Sequence, residues 1–97
     1  MKKYELMMIV DPMLEAKALE SLTADIRAEL DVHGMKIEEE TVWGNRDMAY
    51  RINGSKQGHY LIYILSSSEP KKIQGLEKVL GIKKGLWRYL LTIIDES

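Results

Sequence analysis

The stretch Ile52-Asn53-Gly54-Ser55-Lys56-Gln57-Gly58-His59-Tyr60-Leu61-Ile62-Tyr63-Ile64-Leu65 decides the fold. His59 to Leu65 is a run of aromatic, β-branched and aliphatic residues, which suit a pleated, half-buried surface and predict a strand. Asn53-Gly54-Ser55 is a turn cluster with Gly58 just beyond it, so this strand is expected to return antiparallel on the segment before it. That segment, Met35 to Ile52, carries Ile37, Val42, Met48, Tyr50 and Ile52 and reads as one long strand. A bulge or bend is expected near Gly44.

Working outward, Tyr4 to Val10 is an apolar run stopped by Asp11-Pro12, a third strand. Asp11-Pro12 also suits the start of a helix, because proline fits a first helical turn. From Leu14 to His33, Leu19, Leu22, Ile26 and Leu30 fall at helical spacing, with Glu15, Lys17, Glu20, Arg27 and Asp31 between them; Gly34 is a natural stop. On the other side, Ser68-Glu69-Pro70 offers a cap, an acidic early position and a proline. Ile73, Leu76, Val79 and Leu80 form a short apolar stripe closed by Gly81. Gly75 falls inside this second helix, at a cost of about 1 kcal/mol relative to alanine. Leu86 to Ile94 is the final strand.

The order strand, helix, strand, strand, helix, strand, with right-handed crossovers, gives a ferredoxin-like sandwich: four antiparallel strands in one sheet and both helices on one face. The 97 residues make one domain, residues 1–97. The other sheet face stays open unless something binds it. Alternate strand residues point to opposite faces. Tyr4, Leu6, Met8 and Val10 form one set and Met7 and Ile9 the other; Leu61, Tyr63 and Leu65 oppose Tyr60, Ile62 and Ile64. Both sets are apolar, whereas a solvated face gives clean alternation. A partner on the open face is the favoured reading, against strands that are merely rich in β-formers.

Composition restricts the chemistry. The apolar share of 45% is that of a globular chain. The chain has no cysteine, which removes disulfides, thiolate metal sites and cysteine nucleophiles and fits a reducing compartment. The apolar run after Lys2-Lys3 is too short for a signal core or a membrane span, so a soluble, intracellular protein is expected. His33 and His59 have no second ligand at metal spacing and read as surface residues. Glu38-Glu39-Glu40 lacks the spacing and glycine of a calcium loop and reads as a solvated edge. Neither GxGxxG nor GxxxxGK[ST] occurs, and Ser66 to Ser68 have no base placed to activate them. No enzyme, no cofactor, no metal and no small-molecule substrate are expected.

Fourteen basic residues face fifteen acidic ones, for a formal charge of −1. On its own that argues against a nucleic-acid binder. The distribution is uneven, however. Acids crowd between Glu15 and Glu40, while Lys2, Lys3, Arg46, Arg51, Lys56, Lys71, Lys72, Lys78, Lys83, Lys84 and Arg88 lie elsewhere. In a sandwich these can form a basic stripe, with Trp43, Tyr50, Tyr60 and Trp87 available for stacking or for packing. The plainer alternative is that the lysines serve solubility.

Trp43-Gly44-Asn45-Arg46-Asp47-Met48-Ala49-Tyr50-Arg51-Ile52 resembles the signature of the bacterial small-subunit ribosomal protein six family, in outline G-x-R-x-L-A-Y-x-I. Gly44, Arg46, Ala49, Tyr50 and Ile52 match, with Met48 in the leucine position. Lys3-Tyr4-Glu5 resembles the family's basic-Tyr-Glu opening, Gly58 with Tyr60 its third strand, and Leu80 to Arg88 its second helix, loop and basic strand start. Asp47 departs from the pattern, standing where the family commonly has a basic residue. The resemblance implies a non-enzymatic constituent of the small ribosomal subunit in the cytoplasm. It implies binding to the central domain of the small-subunit RNA together with small-subunit ribosomal protein eighteen. A near-neutral chain can then bind RNA jointly with a basic partner, through phosphate, sugar and RNA shape. Carried over by position, the RNA candidates are Lys2, Lys3, Arg46, Arg51, Lys56 and Arg88, with Lys83 and Lys84 weaker. The partner candidates are Met7, Ile9, Trp43, Met48, Tyr60 and Ile62. Because this topology hosts unrelated functions, a regulatory domain that homodimerises and binds a small ligand stands as the alternative. An RNA recognition motif lacks its aromatic signature here, and an acylphosphatase-like enzyme lacks its phosphate loop.

Overall fold

The computed structural model describes residues 2–69, 73 and 75–96. Pro70, Lys71 and Lys72 lie outside the described residues. Six elements follow one another: β1 (Lys2–Val10), α1 (Ala16–Val32), β2 (Lys36–Ile52), β3 (Ser55–Ser67), α2 (Leu76–Leu80) and β4 (Leu86–Glu96). The sheet order is β2-β3-β1-β4, and every neighbouring pair is antiparallel. This is the ferredoxin-like arrangement expected from the order of elements.

The helices cover one face because their apolar residues repeat on one side. Leu22, Ile26 and Leu30 of α1, four apart, are buried, as are Leu76 and Leu80 of α2. They meet Tyr4, Leu6, Met8 and Val10 of β1 and Leu61, Tyr63 and Leu65 of β3, all at most 5% exposed. These two strand sets are the ones separated by parity in the sequence, and they carry the core.

At the rim of α1, Arg27 holds Glu40 of edge strand β2 in a two-point contact, Nη2 to Oε1 at 2.7 Å and Nε to Oε2 at 3.1 Å. That hydrogen bond lowers the Glu40 pKa from its ordinary value and raises that of Arg27. The Tyr63 phenol lies beside the pair. Burial pushes it up to about 12, with the Glu40 charge adding to the effect.

Two local expectations are corrected. Pro12 does not open α1: the Asp11 carboxylate accepts the Met13 N–H at 2.9 Å, closing a separate turn, and the helix begins at Ala16. Gly75 is not inside α2 but precedes it at φ 87°, a left-handed conformation that costs glycine nothing, and the α-helix among the described residues of this segment is Leu76–Leu80. The bulge expected near Gly44 is present as a register shift between Val42 and Gly44 against β3.

Candidate functional site

Two features stand out away from the core: an apolar sheet face without a helix, and a two-stranded arm at one end of it. Both follow from strand register.

On the open face, Met7 pairs with Ile62 and Leu90, and Ile9 with Tyr60 and Arg88. Met7, Ile9, Tyr60, Ile62 and Ile64 are half-buried by their neighbours, while Leu90 is 56% exposed. Trp43 stacks on Tyr60 with ring centroids 6.3 Å apart and planes 16° from parallel. The Arg46 guanidinium lies over the Trp43 ring at 4.8 Å, a cation–π contact. Gly58 belongs to the same patch. A Cβ there would run into the Ile9 side chain and approach Met48 Sδ at 3.1 Å, so its absence is what lets Ile9, Met48 and Tyr60 close together. All six partner candidates, Met7, Ile9, Trp43, Met48, Tyr60 and Ile62, are thus on one continuous surface.

The arm arises because β1 ends at Val10, opposite His59, while β2 and β3 run on as a hairpin. Asn53 at φ 50° and Gly54 at φ 79° close it as a type I′ turn, whose twist matches the flanking strands. Between the pairs Asp47–Gln57 and Ile52–Ser55, β2 contributes four residues, Met48 to Arg51, against Lys56 alone, an excess of three. Side chains brace this irregular stretch. Gln57 Nε2 donates to Asp47 Oδ1 at 3.1 Å, and the Ser55 hydroxyl both donates to the Gln57 carbonyl and accepts from its N–H. Ile52 is only 3% exposed. Arg46, Arg51 and Lys56 are all exposed on this arm, opposed by Asp47 alone, although the chain as a whole is −1.

The basic candidates do not form a single stripe. Arg88, paired with Ile9, lies at the arm end of the sheet, and Lys83 and Lys84 border a hollow there beside Asp11 and Asp25. Lys2 and Lys3 pair with Ser67 and Ser66 at the opposite end of β1. At strand rise that is about 25 Å away. The structure therefore brings together Arg46, Arg51 and Lys56 on the arm; it leaves Arg88 on the opposite edge strand, across β1 and β3, and Lys2 and Lys3 at the far end of β1.

Several of the remaining polar groups are engaged structurally, although His59 Nε2 is buried without a hydrogen-bond partner among the described residues. Of the acidic run, Glu38 accepts the Ser66 hydroxyl at 2.7 Å and Glu40 holds Arg27. His33 Nδ1 lies 2.7 Å from the Glu29 carbonyl, and His59 Nδ1 3.2 Å from Asn45 Oδ1. Among the described residues no group of His, Asp or Glu side chains could hold a metal ion, and no helix is long and apolar enough to cross a membrane. Sequence reading placed Ile64 on the apolar face by parity but missed Leu90 as part of it, and Gly58 as its packing device. Parity within β4 signals Leu90 only once its pairing with Met7 is known.

Comparison with known proteins gives a consistent result. Residues 3–92 match the model of the family described as ribosomal protein S6. The small ribosomal subunit protein bS6 of Bifidobacterium longum is 34% identical over 86 residues, covering 89% of this chain and 88% of that protein. The bS6 of Moorella thermoacetica is 29% identical over 97 residues, covering 100% and 98%. The longer bS6 of Gluconacetobacter diazotrophicus is 30% identical, and this chain spans 59% of it. Among solved structures, the ribosomal protein S6 of Thermotoga maritima superposes with a TM-score of 0.84 at 21% identity, over 96% of this chain and 87% of that one. The C-terminal domain of the Mycobacterium tuberculosis MgtC protein shares the fold at a TM-score of 0.61 and 14% identity. With the family model matched from Lys3 to Thr92, the chain belongs to the ribosomal protein S6 family, whose members are structural proteins and not enzymes.

Proposed function

We propose that this chain is a structural constituent of the bacterial small ribosomal subunit, binding the central domain of the small-subunit RNA jointly with small-subunit ribosomal protein eighteen. Family membership supports the ribosomal role. The observation that carries the division of labour is the adjacency of an apolar open face to an arm with three exposed cations. Arg46, Arg51, Lys56 and Arg88 face phosphate and sugar; Lys2 and Lys3 make a second, separate contact. Met7, Ile9, Trp43, Met48, Tyr60 and Ile62 receive the protein partner. A chain of net charge −1 gains from such an arrangement, because the partner supplies most of the phosphate neutralisation and buries apolar surface in return.

The test is binding of the purified chain and protein eighteen to a transcript of the central domain. Charge reversal of Arg51 and Lys56 together is expected to weaken joint binding by at least tenfold, leaving the protein pair intact. Met7→Glu with Ile62→Glu is expected to separate the protein pair. Unchanged assembly in both variants would contradict the assignment of these surfaces.

A further inference from the structure

Four aromatic residues were candidates for stacking on nucleic acid, and their surroundings separate them. Trp43 and Tyr60 are stacked on each other, with Arg46 over the Trp43 ring. Trp87 is partly buried in β4. Tyr50 differs from all three. It is 66% exposed, and neither its ring nor its hydroxyl has a hydrogen-bond or ring partner among the described residues.

Its position is built rather than loose. Tyr50 sits in the irregular four-residue stretch of β2 between Asp47 and Ile52, beside Arg51, a stretch that faces Lys56 alone on β3. The stretch is held at one end by the Gln57–Asp47 hydrogen bond and at the other by the buried Ile52 and the turn beyond it. That hydrogen bond orients the arm's lone carboxylate without cancelling its charge, so three exposed cations, Arg46, Arg51 and Lys56, face one anion around Tyr50. An exposed aromatic ring on a braced backbone among cations has the chemistry that recognises an unpaired nucleobase. The ring takes the base face, and the cations take the flanking phosphates. Structured double helix offers no such base, whereas single-stranded loops, bulges and junctions do.

We propose that Tyr50 stacks on an unpaired nucleobase of the bound RNA. This rests on the RNA-binding role proposed above and adds to it a base contact on a surface otherwise made of phosphate contacts. One base stacked on an aromatic side chain is worth about tenfold or more in affinity.

The experiment uses the full chain with protein eighteen and the central-domain transcript, irradiated at low dose so that stacked base and ring crosslink; the crosslinked peptide is then identified by mass spectrometry. The wild-type chain is expected to crosslink through the peptide containing Tyr50. Tyr50→Leu is expected to lose that crosslink and about tenfold in affinity, while Tyr50→Phe keeps both. Thermal denaturation should give the same Tm for all three chains, since the ring is exposed. Tight binding with the crosslink elsewhere, and Tyr50→Leu binding like wild type, would overturn the proposal while leaving the RNA-binding role standing. Loss of affinity in Tyr50→Leu with protein eighteen alone would assign Tyr50 to the protein partner and overturn it as well. Failure of the wild-type chain to bind the transcript would overturn the proposed function, and this inference with it.

Discussion

At Gly58 the missing side chain is what the patch is built around. An added Cβ meets Ile9, whose branched methyl cannot rotate away freely because β-branching stiffens χ1. Gly58→Ala should therefore destabilise the protein by about 1–3 kcal/mol in urea denaturation, the usual cost of overpacking. Ile9→Leu, which removes that methyl, should recover part of the loss, and additive effects of the two changes would contradict the contact. Glu40 and Tyr63 give a prediction on pH. The folded pKa of Glu40 is depressed, so its stabilisation is present above the ordinary carboxylate range and fades as pH falls through the lowered value. Because both partners of that pair are substantially exposed, it is worth no more than about 1 kcal/mol. The Tyr63 phenol is raised, so its contribution is complete below pH 10 and lost as pH climbs through about 12. Glu40→Gln should flatten the acid side of a stability–pH profile and Tyr63→Phe the alkaline side. Neither environment was legible in the sequence, because the Arg27–Glu40 contact joins α1 to β2 and depends on where the edge strand lies.

The elements were legible to the extent that they follow local rules. α1 announced itself through Leu22, Ile26 and Leu30, and these same residues bury against the sheet. Ile26, fully buried, should cost about 2–5 kcal/mol when changed to alanine, measured by the urea midpoint. The second helix was read too long, because Gly75 looks like a tolerated interruption until its left-handed backbone is seen. There Gly75→Ala should destabilise by about 1 kcal/mol, through strain and not helix propensity. The arm was half legible. Asn53-Gly54 marked the turn, but the three-residue excess in β2 is a matter of register, and a single sequence does not carry register where the strands leave the core.

At the scale of the molecule, strand parity alone separates the two sheet faces correctly. Met7, Ile9, Tyr60 and Ile62 fall on one surface because the pleat alternates strictly through the middle of β1 and β3. The distribution of charge was less legible. Lys2, Lys3 and Arg46 look equivalent along the sequence, yet β1 carries the first two to the far end of the sheet from the arm. The proposed RNA surface is therefore centred on the arm, and the dependence on salt measures it directly. The decisive measurement is the affinity of the chain with protein eighteen for the central-domain transcript across a salt series, with arm cations neutralised one at a time. The account predicts tight joint binding that weakens as salt rises. Each of Arg46→Gln, Arg51→Gln and Lys56→Gln should lower the slope of log K against log salt by about 1. A chain that forms a clean homodimer and ignores the RNA at every salt concentration would contradict it.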